Sequence, residues 1–529
     1  MKFRMQMNGA LPRLAWCARL ERGSEVVTVE HGPWVESQED FFFEGGWAGP
    51  YDRRGLLGAK TVLGSGAVLS DDQVVFIPSS HTLERLHFCR DGDCLFVSNS
   101  FIYLLAALDD EIDPMHVEYE LEFLSVVKGY HRARKWVPTA QGRRIQLQYY
   151  RRLRIDCDLN IYTDSPPALP HFGTYEDYVG YLEGTMQQVL GNASDSRRSI
   201  TYKPLATVST GYDSPACAVI ARKCGGTEAV TFCSARMEFN GDVGNPQDAC
   251  DDGGKIGRQL GFNVMEFDRS LYFEDKGIPE AEFLATGNGG DDVVMSVLAE
   301  HLPGTVFFTG FRGDTIWDFE PQAIEDSAQF KSKDPSGASL GEFRLRLGFI
   351  HAPLPVLTMP RHDEILRISQ SPEMDPWRLG NTYDRPIPRR LAESAGIERE
   401  AFGQEKKAIT QPFWVTLDNG AMLSAGSHQA LMAFSEELES RNRQSMRHRL
   451  RRMQATLYHW IVWRGNNLGL PLRMPISLRL LISQTGYKFH WAVAQLRDRY
   501  RPTMIGLRDP TSILAMAPAA SKVASHGSN

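Results

Sequence analysis

The chain has 529 residues, 42% of them hydrophobic and 23% charged, with a formal net charge of −7. That length exceeds what a single compact core serves, so two domains are expected, three at most. The composition excludes a collagen-like or generally disordered chain, and the acidic balance argues against a surface built throughout to grip nucleic acid.

Eight cysteines without a C-x-x-C pair read as reduced thiols of a cytoplasmic protein, not as a zinc site or a disulfide framework. The N-terminus, Met1-Lys2-Phe3-Arg4, leads into no apolar signal segment, and nowhere do roughly 18 apolar residues run together, so no membrane partner is expected. Up to about Asp164, alternating runs such as Gln73–Ile77 and Cys94–Val97, bounded by Gly, Asp and Ser, predict a β-rich N-terminal domain over 1–165. The prolines of Ser165-Pro166-Pro167-Ala168-Leu169-Pro170 place the linker near 163–173.

Over 175–512 short buried strands alternate with helices, which predicts an α/β fold with a parallel sheet. Strands are expected at 205–208, 229–232, 263–267 and 305–309. A helix follows the first of them, with Pro215 at its first position, Arg222 and Lys223 in its last turn and Gly225 just beyond its end. Further helices are expected around 255–260, closed by Gly261, and from about 291 to 301. The tail over 513–529, rich in Ala and Ser, reads as disordered.

Between the first strand and its helix lies Ser209-Thr210-Gly211-Tyr212-Asp213-Ser214. At such a turn the free backbone N–H groups and the positive end of the helix dipole make an anion site, to which Ser209 and Ser214 add hydroxyl donors. Gly211 lets the backbone approach a phosphate closely. Asp213 repels phosphate, so its role there is to hold Mg²⁺ that bridges phosphate oxygens. The dipole alone contributes only about 0.3–1 kcal/mol, so metal and backbone donors must supply the rest. The competing reading is a simple N-capped turn.

This segment resembles the PP-loop, Ser-Gly-Gly-x-Asp-Ser, of the ATP-pyrophosphatase superfamily, with Thr210 in place of the first glycine. Three more segments resemble the asparagine-synthetase branch, which includes β-lactam synthetases and lasso-peptide cyclases. Asp251-Asp252-Gly253-Gly254-Lys255-Ile256-Gly257-Arg258-Gln259-Leu260-Gly261 looks like the helix before the third strand. Thr309-Gly310-Phe311-Arg312-Gly313-Asp314-Thr315 is similar to Ser-Gly-x-Gly-x-Asp-Glu, whose aspartate shares Mg²⁺ with the loop aspartate. An acid at the carboxyl end of a parallel strand also lies where such sheets bind ligands. The departures are Thr315 for glutamate and Arg312 for glycine; Arg312 could instead reach a phosphate or a substrate carboxylate.

The segment 402–412 is similar to the lysine loop, Arg-x-Lys-x-Gly-Phe-x-x-Pro; counting back from Pro412 selects Lys406, with Lys407 as the alternative register. The resemblance implies that this lysine stabilises charge at the α-phosphorus. It also implies a PP-loop synthetase domain that uses ATP and Mg²⁺ to adenylate a small-molecule or peptide carboxylate, for attack by an amine or ammonia. A partner amidotransferase or carrier could serve such an enzyme.

Glutamine-dependent members expose a cysteine at residue 2 as nucleophile, whereas this chain has Lys2 there and Cys17 as its first cysteine. The N-terminal domain therefore reads as a degenerate glutaminase-like domain. Arg441, Arg443, Arg447, Arg449, Arg451 and Arg452 lie close together near Trp460 and Trp463. They read as a basic helix for RNA, an acidic carrier face or a peptide, or as a solvated face. Two further readings stand beside the ligase: activation of a nucleic-acid base, and a nucleotide-binding descendant without catalysis.

Overall fold

The computed structural model describes residues 1–234, 253–274, 277, 279–319, 335–381, 383–404, 423–467, 472–475, 480 and 486–500. Its N-terminal half is built on two sheets. The first runs in the order β1 (Lys2–Met7), β3 (Val26–His31), β2 (Trp16–Glu21), β9 (Cys94–Ser98), β8 (Leu86–Asp91), β11 (Arg144–Gln148) and β10 (Trp136–Pro138). The second runs β13 (Ile161–Asp164), β12 (Arg152–Asp156), β7 (Gln73–Ile77), β6 (Val62–Ser70), β5 (Phe41–Trp47) and β4 (Glu36–Ser37). Neighbours pair antiparallel, except β1 with β3.

Alternation along the strands decides what each face buries. Trp16, Ala18 and Leu20 of β2 point inward and share one core with Phe42 of β5, Val74 and Phe76 of β7 and Leu153 of β12. Cys17, between them, points the other way and joins a cluster with the helix Phe101–Leu108. Burial first, then the nearby Glu30 carboxylate, raises its thiol well above the ordinary value. Such a thiol is an inert packing group, not a nucleophile.

The second half carries a five-stranded sheet in the order β16 (Asn263–Phe267), β15 (Glu228–Phe232), β14 (Lys203–Thr207), β17 (Thr305–Thr309) and β18 (Ile350–Pro353), parallel throughout. Its central strands are buried on both sides. Leu205, Val230 and Phe307 face one hydrophobic cluster, while Ala206, Ala229, Val306 and Phe308 face another. The second cluster holds the helices Tyr175–Ala193 and Asp213–Lys223; the first holds Phe343, Phe349 and Trp491. Helices on both faces of a parallel sheet make this half α/β. The strand order reverses direction between β14 and β17, the topological switch point where ligands of open parallel sheets sit.

β13 ends at Asp164 and the next helix starts at Tyr175, capped reciprocally by Thr174 and Asp177. Two local expectations need correction. The helix after β14 begins at Asp213, so Pro215 is its third residue, not its first. A first-turn N–H has no intrahelical acceptor, so proline costs no hydrogen bond there. In place of an α-helix over 291–301, a 3₁₀ segment runs Val293–Leu298. Its bonds close over three residues, as from Met295 N–H to the Asp292 carbonyl, and its β-branched valines disfavour the α form.

The two halves share buried chemistry. Arg344 donates to both Glu44 oxygens at 2.6 and 2.9 Å and meets Glu84 at 2.7 Å, with only 4% of its side chain exposed. Beside this ion cluster lies a cavity of about 50 Å³ lined by Ser65, Arg85, His87 and Thr286 among others.

His490 is buried against the Tyr119 and Tyr487 rings and donates to the Asp113 carbonyl at 3.1 Å. Burial lowers its pKa to about 4, and His116 pushes in the same direction. The folded state therefore holds it neutral while the unfolded chain takes up a proton below about 6.5. Stability is lost as pH falls through that window, by roughly 2 kcal/mol at pH 5. His490→Gln is expected to remove that share of the slope, read by urea denaturation of both chains at pH 7 and pH 5.

Candidate functional site

The loop Ser209–Ser214 leaves the carboxyl end of β14 at the switch point. It is organised by its own hydroxyls: Ser209 Oγ shares a hydrogen bond with Ser214 Oγ at 2.7 Å and accepts from Gly211 N–H at 3.2 Å. The N-cap of the following helix is Tyr212, whose side chain makes no capping bond. The simple capped-turn reading therefore loses its main support, since the helix N-terminus takes no side-chain cap from Tyr212.

Glycines from three other segments press against this loop, each where a side chain would collide. A Cβ on Gly253 would lie 2.6 Å from Ser209 N, and one on Gly310 would lie 2.7 Å from Asp213 Cβ. One on Gly313 would lie 2.3 Å from Asp213 Cγ. Gly403, at φ +62°, would put a Cβ 2.4 Å from the Tyr212 ring, a backbone conformation that favours glycine in any case. Thus the segments expected from sequence to form one site, at 209–214, 310–314 and the start of 402–412, meet at one edge of the sheet, and Gly253, at the start of the helix expected before the third strand, joins them there.

Hydrogen bonds fasten the same junction. Gly403 N–H donates to the Thr210 carbonyl at 2.8 Å, and Gly253 N–H donates to Thr231 Oγ1 at 3.0 Å. Arg389, fully buried on the helix Pro386–Ser394, donates to Tyr212 Oη at 2.8 Å and to the Gly403 carbonyl at 2.9 Å. Tyr212 in turn donates to the Tyr383 carbonyl at 2.9 Å, and the two rings lie 4.8 Å apart.

Asp213 opens its helix and Asp314 is the second residue of the short helix Gly313–Ile316 that follows β17. Both carboxylates act on the Tyr383 phenol. Burial first, then Asp213 and more weakly Asp314, holds that phenol above its ordinary pKa, and Arg385 opposes them. Burial and Asp213 likewise raise the Cys217 thiol. Two hard carboxylates at one sheet edge suit Mg²⁺, which takes one or two protein carboxylates and completes its shell from phosphate and water. Among the described residues no group of three or more His, Cys, Asp or Glu would hold a metal by itself.

Arg312 takes a left-handed conformation at φ 61° and is only 2% exposed, with its charge acting on His81 of the N-terminal half. Thr315 N–H and Ile316 N–H donate to its carbonyl, so its backbone starts the short helix. Lys406, Lys407, Asp251 and Asp252 lie outside the described residues. Sequence reasoning missed Tyr383 and Arg389, which carry no local motif; Gly403 was within the lysine segment but was given no role there.

No protein-family model matches the chain, and no curated protein matches it.

Proposed function

We propose that the chain is an ATP-dependent ligase of the asparagine-synthetase type, which adenylates a carboxylate, releases pyrophosphate and passes the acyl group to an amine or ammonia. The observation that carries this reading is the convergence of the four segments at the switch point of the parallel sheet. Ser209, Thr210, Gly211 and Ser214 would surround the phosphates with backbone and hydroxyl donors, and Asp213 with Asp314 would hold Mg²⁺. When bound, that ion neutralises charge on the leaving pyrophosphate.

The anchoring of Gly403 to Thr210 supports a role for Lys406, since three residues span at most about 11 Å of chain. A cation arriving at the α-phosphate from that side stabilises charge developed in the transition state. Arg312 acts, in this reading, as a buried cation and not as a surface clamp. Ammonia or an amine comes, in this reading, from solution, from the substrate itself or from a partner. The N-terminal sheets are then a degenerate glutaminase-like domain that packs against the synthetase half.

Product analysis tests the reaction type. Turnover is expected to convert ATP to AMP and pyrophosphate in equal amounts, read by ion-exchange chromatography; ADP with inorganic phosphate would contradict the reading. A second expectation concerns Gly313→Ala, which places a methyl group against the Asp213 carboxylate. Overpacking of about 1–3 kcal/mol should raise the Kd for Mg·ATP roughly 5- to 150-fold. Gly9→Ala, with open space around its Cβ, should leave Kd unchanged in the same calorimetric titration.

A further inference from the structure

The arginine-rich region is not one helix. Arg441 closes the helix Ala425–Asn442, the chain turns through 443–445, and the remaining arginines fall on the helix Met446–Asn467. That second helix holds five arginines, at 447, 449, 451, 452 and 464, and no Asp or Glu.

Its orientation is inverted. The side against the body is polar or small: Ala455 is fully buried, Arg451 pairs with Glu118 at 2.6 Å and Arg452 with Glu439 at 2.8 Å. The apolar side faces outward. Met446, Leu450, Met453, Leu457, Trp460 and Ile461 are all exposed, Met453 at 66% and Leu457 at 58%. At roughly 100° per residue, these six fall in a stripe about 100° wide, opposite Ala455, and the exposed Tyr458 and Trp463 lie about 60° beyond its two edges. A stripe of that width with alternating four- and three-residue steps is the seam of a two-helix contact. Among the described residues this row of large apolar side chains has no covering partner, and a row this long marks an interaction surface.

Charge selects the occupant. Arg449 stands beside the seam, Arg464 lies in line with the seam at its far end, and both are exposed. Residues flanking such a seam set partner choice through charge. A second copy of the helix would bring arginines and no acid to meet them, whereas an acidic helix complements them.

We infer that the helix Met446–Asn467 is a docking site for an amphipathic helix of a partner protein, with apolar residues in its seam and Asp or Glu along its flanks. The inference does not depend on the ligase reading. The test uses the full chain and two synthetic helical peptides, both with leucine at the seam positions, one flanked by glutamate and one by lysine. Fluorescence anisotropy should show the glutamate peptide binding at least tenfold more tightly, and weakening as salt rises. The double variant Leu450→Glu, Leu457→Glu should lose at least tenfold in that affinity, and Arg449→Glu with Arg464→Glu should shift preference to the lysine peptide. Equal binding of both peptides, or none, overturns the inference. Light scattering that shows a dimer dissolved by the leucine variant would assign the seam to a second copy instead. Sedimentation with phosphatidylglycerol vesicles, lost in that variant and without peptide binding, would assign it to lipid.

Discussion

Asp213→Asn is expected to slow ATP–pyrophosphate exchange about 10²- to 10³-fold, the usual effect of removing one preorganised group that meets transition-state charge. The substitution keeps the shape of a side chain packed against Gly310 and Gly313 and removes only its charge. Ser209, Gly211 and Ser214 keep their own hydrogen bonds, and an asparagine oxygen still accepts where a carboxylate oxygen did, so the melting temperature should stay near that of the native chain. Unchanged exchange in the variant would make Asp213 a helix-start residue and no more. Asp314→Asn should follow the same pattern, because its carboxylate acts on the same Tyr383 phenol.

Arg344→Met is expected to cost about 3–5 kcal/mol of stability, because it leaves buried carboxylates without their counter-charge. Glu44 is fully buried; burial raises its pKa, and the Arg344 charge is the largest influence holding it down. Ser65 Oγ donates to the Glu44 carboxylate at 2.8 Å and Asn99 Nδ2 at 3.3 Å, too little to compensate a lost ion pair. Adding Glu44→Gln to the variant should recover part of the loss, and a double-mutant cycle by chemical denaturation isolates the pair. A loss below about 1 kcal/mol, the range of exposed pairs, would mean that this cluster does not hold the two halves together.

How much was legible in the sequence follows the range of the interactions concerned. The strand-forming runs at 205–208, 229–232, 263–267 and 305–309 lie within two residues of the observed strands, since buried parallel strands announce themselves by local apolar runs. The loop chemistry was equally local: hydroxyls, a glycine and an acid between a strand and a helix. Arg389 was not legible, because its partners, Tyr212 and the Gly403 carbonyl, are brought to it by tertiary packing. Nor was the inverted face of Met446–Asn467, because periodicity reveals an apolar stripe but not which way it points. The 3₁₀ segment Val293–Leu298 was misjudged for a similar reason: the Asp292 carboxylate, a capping group by type, instead accepts from Gly337 N–H and Ser339 N–H.

The adenylation chemistry itself is most directly tested by ATP–pyrophosphate exchange, with the full chain, Mg²⁺ and a panel of carboxylic acids that includes aspartate. The account predicts exchange that requires both Mg²⁺ and one class of acid. Absence of exchange with every acid, in a chain that still binds ATP, would contradict it.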